Sequence, residues 1–206
     1  MLKIWGRTNS SNVQKVLWCA DELGLAYERI DIGGQFGGND QPAYLKLNPN
    51  GLVPTVEDGE LVLWESNSIV RYLGGRYGAG KIWPTDPGQR ARGEMWMDWQ
   101  LTTMGPPTIT LFQGFVRLAP EQRDMAALAK TAQTLGGLWG RLDAHLAGKN
   151  FIGGADFSVA DIPCAVWIHR WFNLPIERPT QPHLRAWYDR LLQRPGFKKH
   201  VALPLS

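Results

Sequence analysis

The segment Asn48-Pro49-Asn50-Gly51-Leu52-Val53-Pro54-Thr55, followed ten residues later by Glu65-Ser66-Asn67-Ser68-Ile69, decides how this chain is read. Proline has no N–H for a strand ladder, so Pro54 either opens a short strand or sits at a tight turn, and a cis Val53–Pro54 bond is expected there. Because Pro54 cannot donate, the amide and carbonyl of Val53 are left available to an extended peptide. Glu65 and Ser66 stand where a strand gives way to a helix, a place that presents unpaired N–H groups to anions. Each half alone also fits an ordinary turn or helix cap. The two together join a strand-like peptide edge to a carboxylate-binding helix start.

Working outward, Leu2-Lys3-Ile4-Trp5 alternates as a strand, and Val13, Val16, Leu17, Ala20 and Leu23 form a helical stripe closed by Gly24. Tyr27 to Ile32 reads as a second strand, and strand–helix–strand at this spacing implies parallel pairing. A glycine-rich loop and a short helical turn at Ala43 to Leu47 follow. Pro54 to Glu57 and Leu61 to Trp64 are strands joined at Asp58-Gly59, a hairpin signal, and Ser66 to Tyr77 closes the unit as a helix. Turn residues Trp83-Pro84-Thr85-Asp86-Pro87-Gly88 mark a boundary, beyond which only helical patterns occur. Helices are expected at Arg90 to Leu101, Glu121 to Leu146 and Pro182 to Gln193, with Pro106-Pro107 interrupting the first stretch. Ser158-Val159-Ala160-Asp161 reads as a capping box, a folding feature. The fold class is therefore α/β followed by all-α: an N-terminal domain over 1–80, a linker over 81–88 and a helical domain over 89–206.

The 206 residues are enough for a substantial core, and a net charge of +3 without a basic block argues against nucleic-acid or polybasic membrane binding. No bilayer-length apolar run or signal peptide is visible, so a soluble, cytoplasmic protein is expected. Cys19 and Cys164 form no CxxC pair, and the four histidines show no ligand spacing, so no metal site is expected. The ten tryptophans fit core and interface packing or an apolar ligand cleft.

The Val53-Pro54 loop and the Glu65-Ser66 pair, in this order, resemble the glutathione site of the glutathione S-transferase superfamily, and the likeness to serine-type, theta-like cytosolic members extends along nearly the whole chain. The resemblance implies a thioredoxin-like N-terminal domain, a C-terminal helical bundle, a homodimer, and glutathione as co-substrate with no other cofactor. Glu65 would then pair with the γ-glutamyl ammonium, Ser66 would take the α-carboxylate, and the Val53 backbone would pair with the cysteinyl unit beside Pro54. In Thr8-Asn9-Ser10-Ser11-Asn12 the catalytic hydroxyl falls on Ser10, with Ser11 as rival, and Asn12 matches an asparagine near the thiol in a disulfide-reducing bacterial branch. All three also fit plain N-capping. The glycyl carboxylate is assigned to Asn39, with Gln41 and Lys46 as alternatives, and an apolar electrophile is expected near Met104 and Phe112. The implied activity is conjugation of the glutathione thiolate to that electrophile. The alternatives are a glutathione-dependent disulfide or peroxide reductase and a non-catalytic glutathione-binding or docking module.

Overall fold

The computed structural model describes residues 1–206. The chain divides into two compact units, Met1–Thr85 with Pro195–Leu203, and Asp86–Arg194 with Pro204–Ser206.

In the first unit, strands β1 (Leu2–Trp5), β2 (Tyr27–Ile30), β3 (Thr55–Asp58) and β4 (Leu61–Trp64) form one sheet in the order β2-β1-β3-β4. β1 runs parallel to β2, with Ile4 opposite Arg29, and antiparallel to β3, with Ile4 opposite Val56. The parallel pair follows from its crossover, helix α1 (Ser11–Glu22), whose inward stripe of Val13, Val16, Leu17 and Ala20 is buried. Helix α3 (Ser66–Tyr77) buries Ile69, Val70 and Leu73. The β3–β4 hairpin is pinned to it where Tyr72 and Tyr77 donate to Asp58 Oδ2 at 2.7 and 2.5 Å. Between β2 and β3 lie a 3-10 turn over Gly34–Phe36 and a short helix, α2 (Pro42–Leu45). This is the expected thioredoxin-like order.

The second unit is helical: α4 (Pro87–Trp99), α5 (Gly105–Phe112), α6 (Met125–Leu146), α7 (Asp161–Asn173) and α8 (Pro182–Leu191). The first stretch is interrupted as expected, just before Pro106-Pro107 rather than at them. A π-helical turn over Gln100–Met104 widens the backbone just before α5, which places the prolines in the first turn, where missing N–H groups cost nothing. Helix α6 starts at Met125 rather than Glu121, because Asp124 caps it by accepting from the Ala127 amide at 2.9 Å. The box at α7 forms: Asp161 accepts from the Ser158 amide at 3.0 Å, and also from the Ile152 amide and the Trp187 indole at 2.8 and 2.9 Å.

One boundary departs from expectation. The helix α9 (Pro195–His200), expected within 89–206, belongs to the first unit. Phe197 stands edge-on to buried Trp18 with ring centroids 5.0 Å apart, and Lys199 and His200 both reach Asp21 at 2.8 Å. Gly196 permits this approach, since a Cβ there would lie 2.7 Å from the Trp18 ring.

Candidate functional site

The Val53–Pro54 bond is cis. The loop before it is braced from below. Tyr44 Oη donates to the Leu52 carbonyl at 2.7 Å and lies 2.8 Å from Thr55 Oγ1, and Asn48 Nδ2 donates to the same carbonyl at 2.8 Å. The Leu52 carbonyl is thus held twice, while the amide and carbonyl of Val53 take no main-chain partner within the chain. Gly51, at φ +61°, fits here because a Cβ would meet the Asn39 carbonyl oxygen at 3.0 Å.

Glu65 is the N-cap of α3 and the one non-glycine residue with positive φ, +70°. Its side chain makes no capping hydrogen bond, and a helix start of this kind presents N–H groups to anions. Ser66 follows, 4% exposed, and its Oγ donates to Asn12 Oδ1 at 3.2 Å. These groups converge: Asn12, Asn48, Val53, Pro54, Glu65 and Ser66 border one narrow cleft of about 40 Å³.

Ser10 stands outside this lining, at the N-cap of α1, with its side chain unused in capping. Plain N-capping is thereby removed as an account of its hydroxyl. Its position at the positive end of a twelve-residue helix is one where a thiolate is stabilised. Asn39 also lies outside the lining, and its Nδ2 donates to the Gly51 carbonyl at 2.6 Å. That donor ties down the loop, and a ligand carboxylate would have to displace a main-chain acceptor to use it.

Met104 and Phe112 lie in the second unit. Met104 has no exposed surface, and Phe112 is 8% exposed with the Arg170 guanidinium 3.8 Å from its ring centroid. A ligand reaches either residue only if these side chains move. Exposed apolar side chains nearby in sequence are Leu101 and Ile109. A cavity of about 690 Å³ also lies in this unit, lined by Phe115, Met125, Leu128, Ile176 and Arg178 among others. No predicted site residue borders it, and the Arg178 guanidinium is spent on the carbonyls of Trp171 and Leu174 at the end of α7. Both cysteines are buried, and burial pushes the Cys19 thiol up, away from reactivity.

Three contributors escaped the sequence reading: Tyr44 and Asn48, which brace the loop, and Lys15, which lies fully buried beneath Ser66. Asn48 was within the quoted motif, and an Asx-turn there was a readable signal. Nothing in sequence marks Lys15.

Residues 1–75 match the glutathione S-transferase N-terminal domain and residues 125–190 the glutathione S-transferase C-terminal domain. The chain is 43% identical to glutathione S-transferase GstB of Escherichia coli, with 100% of both chains covered. It is 28% identical to the disulfide-bond oxidoreductase YfcG of Escherichia coli, over 90% of this chain and 87% of that one. The crystal structure of the theta class glutathione S-transferase from Xanthomonas axonopodis pv. citri with glutathione bound is 50% identical, at a TM-score of 0.95, covering 100% of this chain and 99% of that chain. With its cis-proline edge, its Glu-Ser helix start and this full-length likeness, the chain belongs to the glutathione S-transferase family.

Proposed function

We propose that the protein is a glutathione transferase that binds glutathione as an added strand along Val53 and activates its thiol for attack on an electrophilic carbon. The observation that carries this is the convergence on one cleft of a peptide edge at Val53 with no main-chain partner, Glu65, and Ser66 at the start of α3. Glu65 pairs with the γ-glutamyl ammonium, Ser66 and the α3 amides take the α-carboxylate, and the Val53 main chain pairs with the cysteinyl unit. These groups bind ground and transition states alike, so they set affinity.

Rate comes from the thiol. A free thiol near pKa 8.5 is only a few per cent ionised at pH 7, and lowering it by about two units stabilises the thiolate by roughly 2.7 kcal/mol. Ser10 supplies an uncommitted hydroxyl at the positive end of α1 that donates to the thiolate, so the thiol proton passes to bulk water and no general base is needed. Attack then transfers the thiolate's electron pair to the electrophilic carbon as the leaving group departs. An apolar electrophile is supported by the exposed Leu101 and Ile109 side chains. Pairing of two copies is supported by exposed Leu61 and Trp64 on the sheet-edge strand β4, an apolar edge that a second protomer would cover. No helix is long and apolar enough to cross a membrane, which agrees with a cytoplasmic enzyme.

A second reading, glutathione-dependent disulfide reduction, is favoured by one observation: Asn12 borders the cleft and Ser10 does not. The relative named as a disulfide-bond oxidoreductase points the same way. Ultraviolet titration of the bound thiolate in wild type, Ser10→Ala and Asn12→Ala separates them, with turnover of an aryl halide and of a mixed disulfide measured alongside. The transferase reading expects Ser10→Ala to raise the bound thiol's pKa and to lose most aryl-halide turnover at neutral pH, with the loss shrinking as pH rises. A pKa moved only by Asn12→Ala, with mixed disulfide the better substrate, overturns it.

A further inference from the structure

Lys15 stands one helical turn after Asn12 on α1 and has no exposed surface. Burying an ammonium costs several kcal/mol unless its surroundings answer the charge, and a lysine on a helix ordinarily reaches water. Here Nζ points inward and donates to Asn67 Oδ1 at 3.1 Å and to Ser66 Oγ at 3.4 Å. Ser66 Oγ in turn donates to Asn12 Oδ1 at 3.2 Å, and Ser66 and Asn12 both border the cleft. The ammonium is thus one oxygen atom behind Ser66, at the start of α3, the kind of helix end that receives an anion.

An anion that takes over the Ser66 hydroxyl hydrogen from Asn12 Oδ1 comes within about 3 Å of Oγ, and so within about 6 Å of the Lys15 nitrogen. At that separation and an effective dielectric near 20, the attraction corresponds to roughly 100-fold in affinity. Because the charge is buried, salt screens it little. A merely space-filling role at this position would be served better by an apolar side chain, since Val13, Val16 and Leu17 around it on α1 are all buried.

We propose that the buried Lys15 ammonium acts through Ser66 as a positioning residue, supplying the fixed positive charge that holds the α-carboxylate of the γ-glutamyl group. This rests on the glutathione reading above and adds a residue to it. The test compares two ligands, glutathione and 4-aminobutanoyl-Cys-Gly, the same peptide without that carboxylate. Their dissociation constants are measured by calorimetry for wild type, Lys15→Gln and Lys15→Met. Wild type is expected to prefer glutathione. Both variants are expected to lose roughly 10- to 100-fold for glutathione and less than about 2-fold for the truncated peptide, so that the preference collapses. Equal weakening toward both ligands, as a simple packing role would give, overturns the proposal, and so does a preference that survives in the variants.

Lys15→Met puts an apolar side chain among apolar neighbours and keeps the test open if Lys15→Gln does not fold. A further arm needs only wild type: its preference for glutathione should persist in molar salt, where the Debye length is about 3 Å, and its disappearance there would assign the effect to exposed charges. Wild type that binds neither peptide refutes the glutathione reading itself, whereas wild type that binds both alike refutes only the role of Lys15.

Discussion

Glu65 combines a strained backbone with a place on the candidate cleft, and on the proposed function its replacement should move stability and affinity in opposite directions. At φ +70° and ψ +108° it lies outside the regions open to side chains with a Cβ. Such a residue costs about 1–3 kcal/mol and persists only where the surroundings over-determine it. Glycine removes that cost and loses about 0.5–1 kcal/mol to the greater freedom of the unfolded chain. Glu65→Gly should therefore stabilise the fold by about 1 kcal/mol, or roughly 2–4 °C in melting temperature for a chain of this size. The same change deletes the charge-assisted bond to the ligand ammonium, worth about 1.5–3 kcal/mol, so glutathione binding should weaken roughly 10- to 150-fold.

Glu65→Ala is the control that separates the two effects. Alanine keeps the Cβ, so it should lose the same affinity and gain no stability. Thermal melting and calorimetric titration of the three proteins read both quantities. Equal stability gains in Glu65→Ala and Glu65→Gly would show that the positive φ is not the source. Undiminished glutathione affinity in both would remove the carboxylate from the site.

Asp161 answers three N–H donors, from Ile152, Ser158 and Trp187, so Asp161→Ala should cost about 3 kcal/mol or more in chemical denaturation, with little change in glutathione affinity. Burial, the largest cause, pushes its carboxyl up to about 6 from 3.8. The folded form therefore holds the proton more tightly, and this group's stabilisation is full below pH 3.8 and lost as pH rises through about 6. Asp161→Asn, which does not titrate, should flatten the stability profile across that window. A Cβ at Gly196 would meet the Trp18 ring at 2.7 Å, so Gly196→Ala should lower stability by about 1–3 kcal/mol. Gly137→Ala, in the interior of α6 with nothing within 4 Å of the new atom, should instead raise it by about 0.5–1 kcal/mol; opposite signs in the two melts are the check.

The first unit was legible because its signals are local. The Leu2 to Trp5 alternation, the stripe from Val13 to Leu23 and the Asp58-Gly59 turn each declare an element within a dozen residues, and β1, α1 and the hairpin fall within a residue or two of expectation. The misplacements arose where long-range packing decides. Nothing in Pro195 to His200 says that it docks on α1, because Phe197 and His200 find their partners, Trp18 and Asp21, nearly the whole chain away. Pro106-Pro107 signals an interruption, but that the interruption is a π-helical turn placed before the prolines is decided by backbone geometry rather than residue type.

The site divides along the same line. The placing of Val53, Pro54, Glu65 and Ser66 on one cleft was readable because a cis-proline edge and a helix start are features that sequence order fixes directly. Asn39 read as a free amide, but its donor is taken by the Gly51 carbonyl twelve residues on. Met104 and Phe112 read as ligand-facing because apolar side chains carry the same letters in a core as in a cleft, and here both are buried. Lys15 is the sharpest case. Its charge argues for solvent, and only the folded chain shows α1 turning it toward Ser66 and Asn67, more than fifty residues away. A charge placed behind the first ring of ligand contacts touches nothing the ligand displays, so no motif in the contacting residues can report it. Such groups become visible only when the bonds behind each contact are followed one step further into the protein.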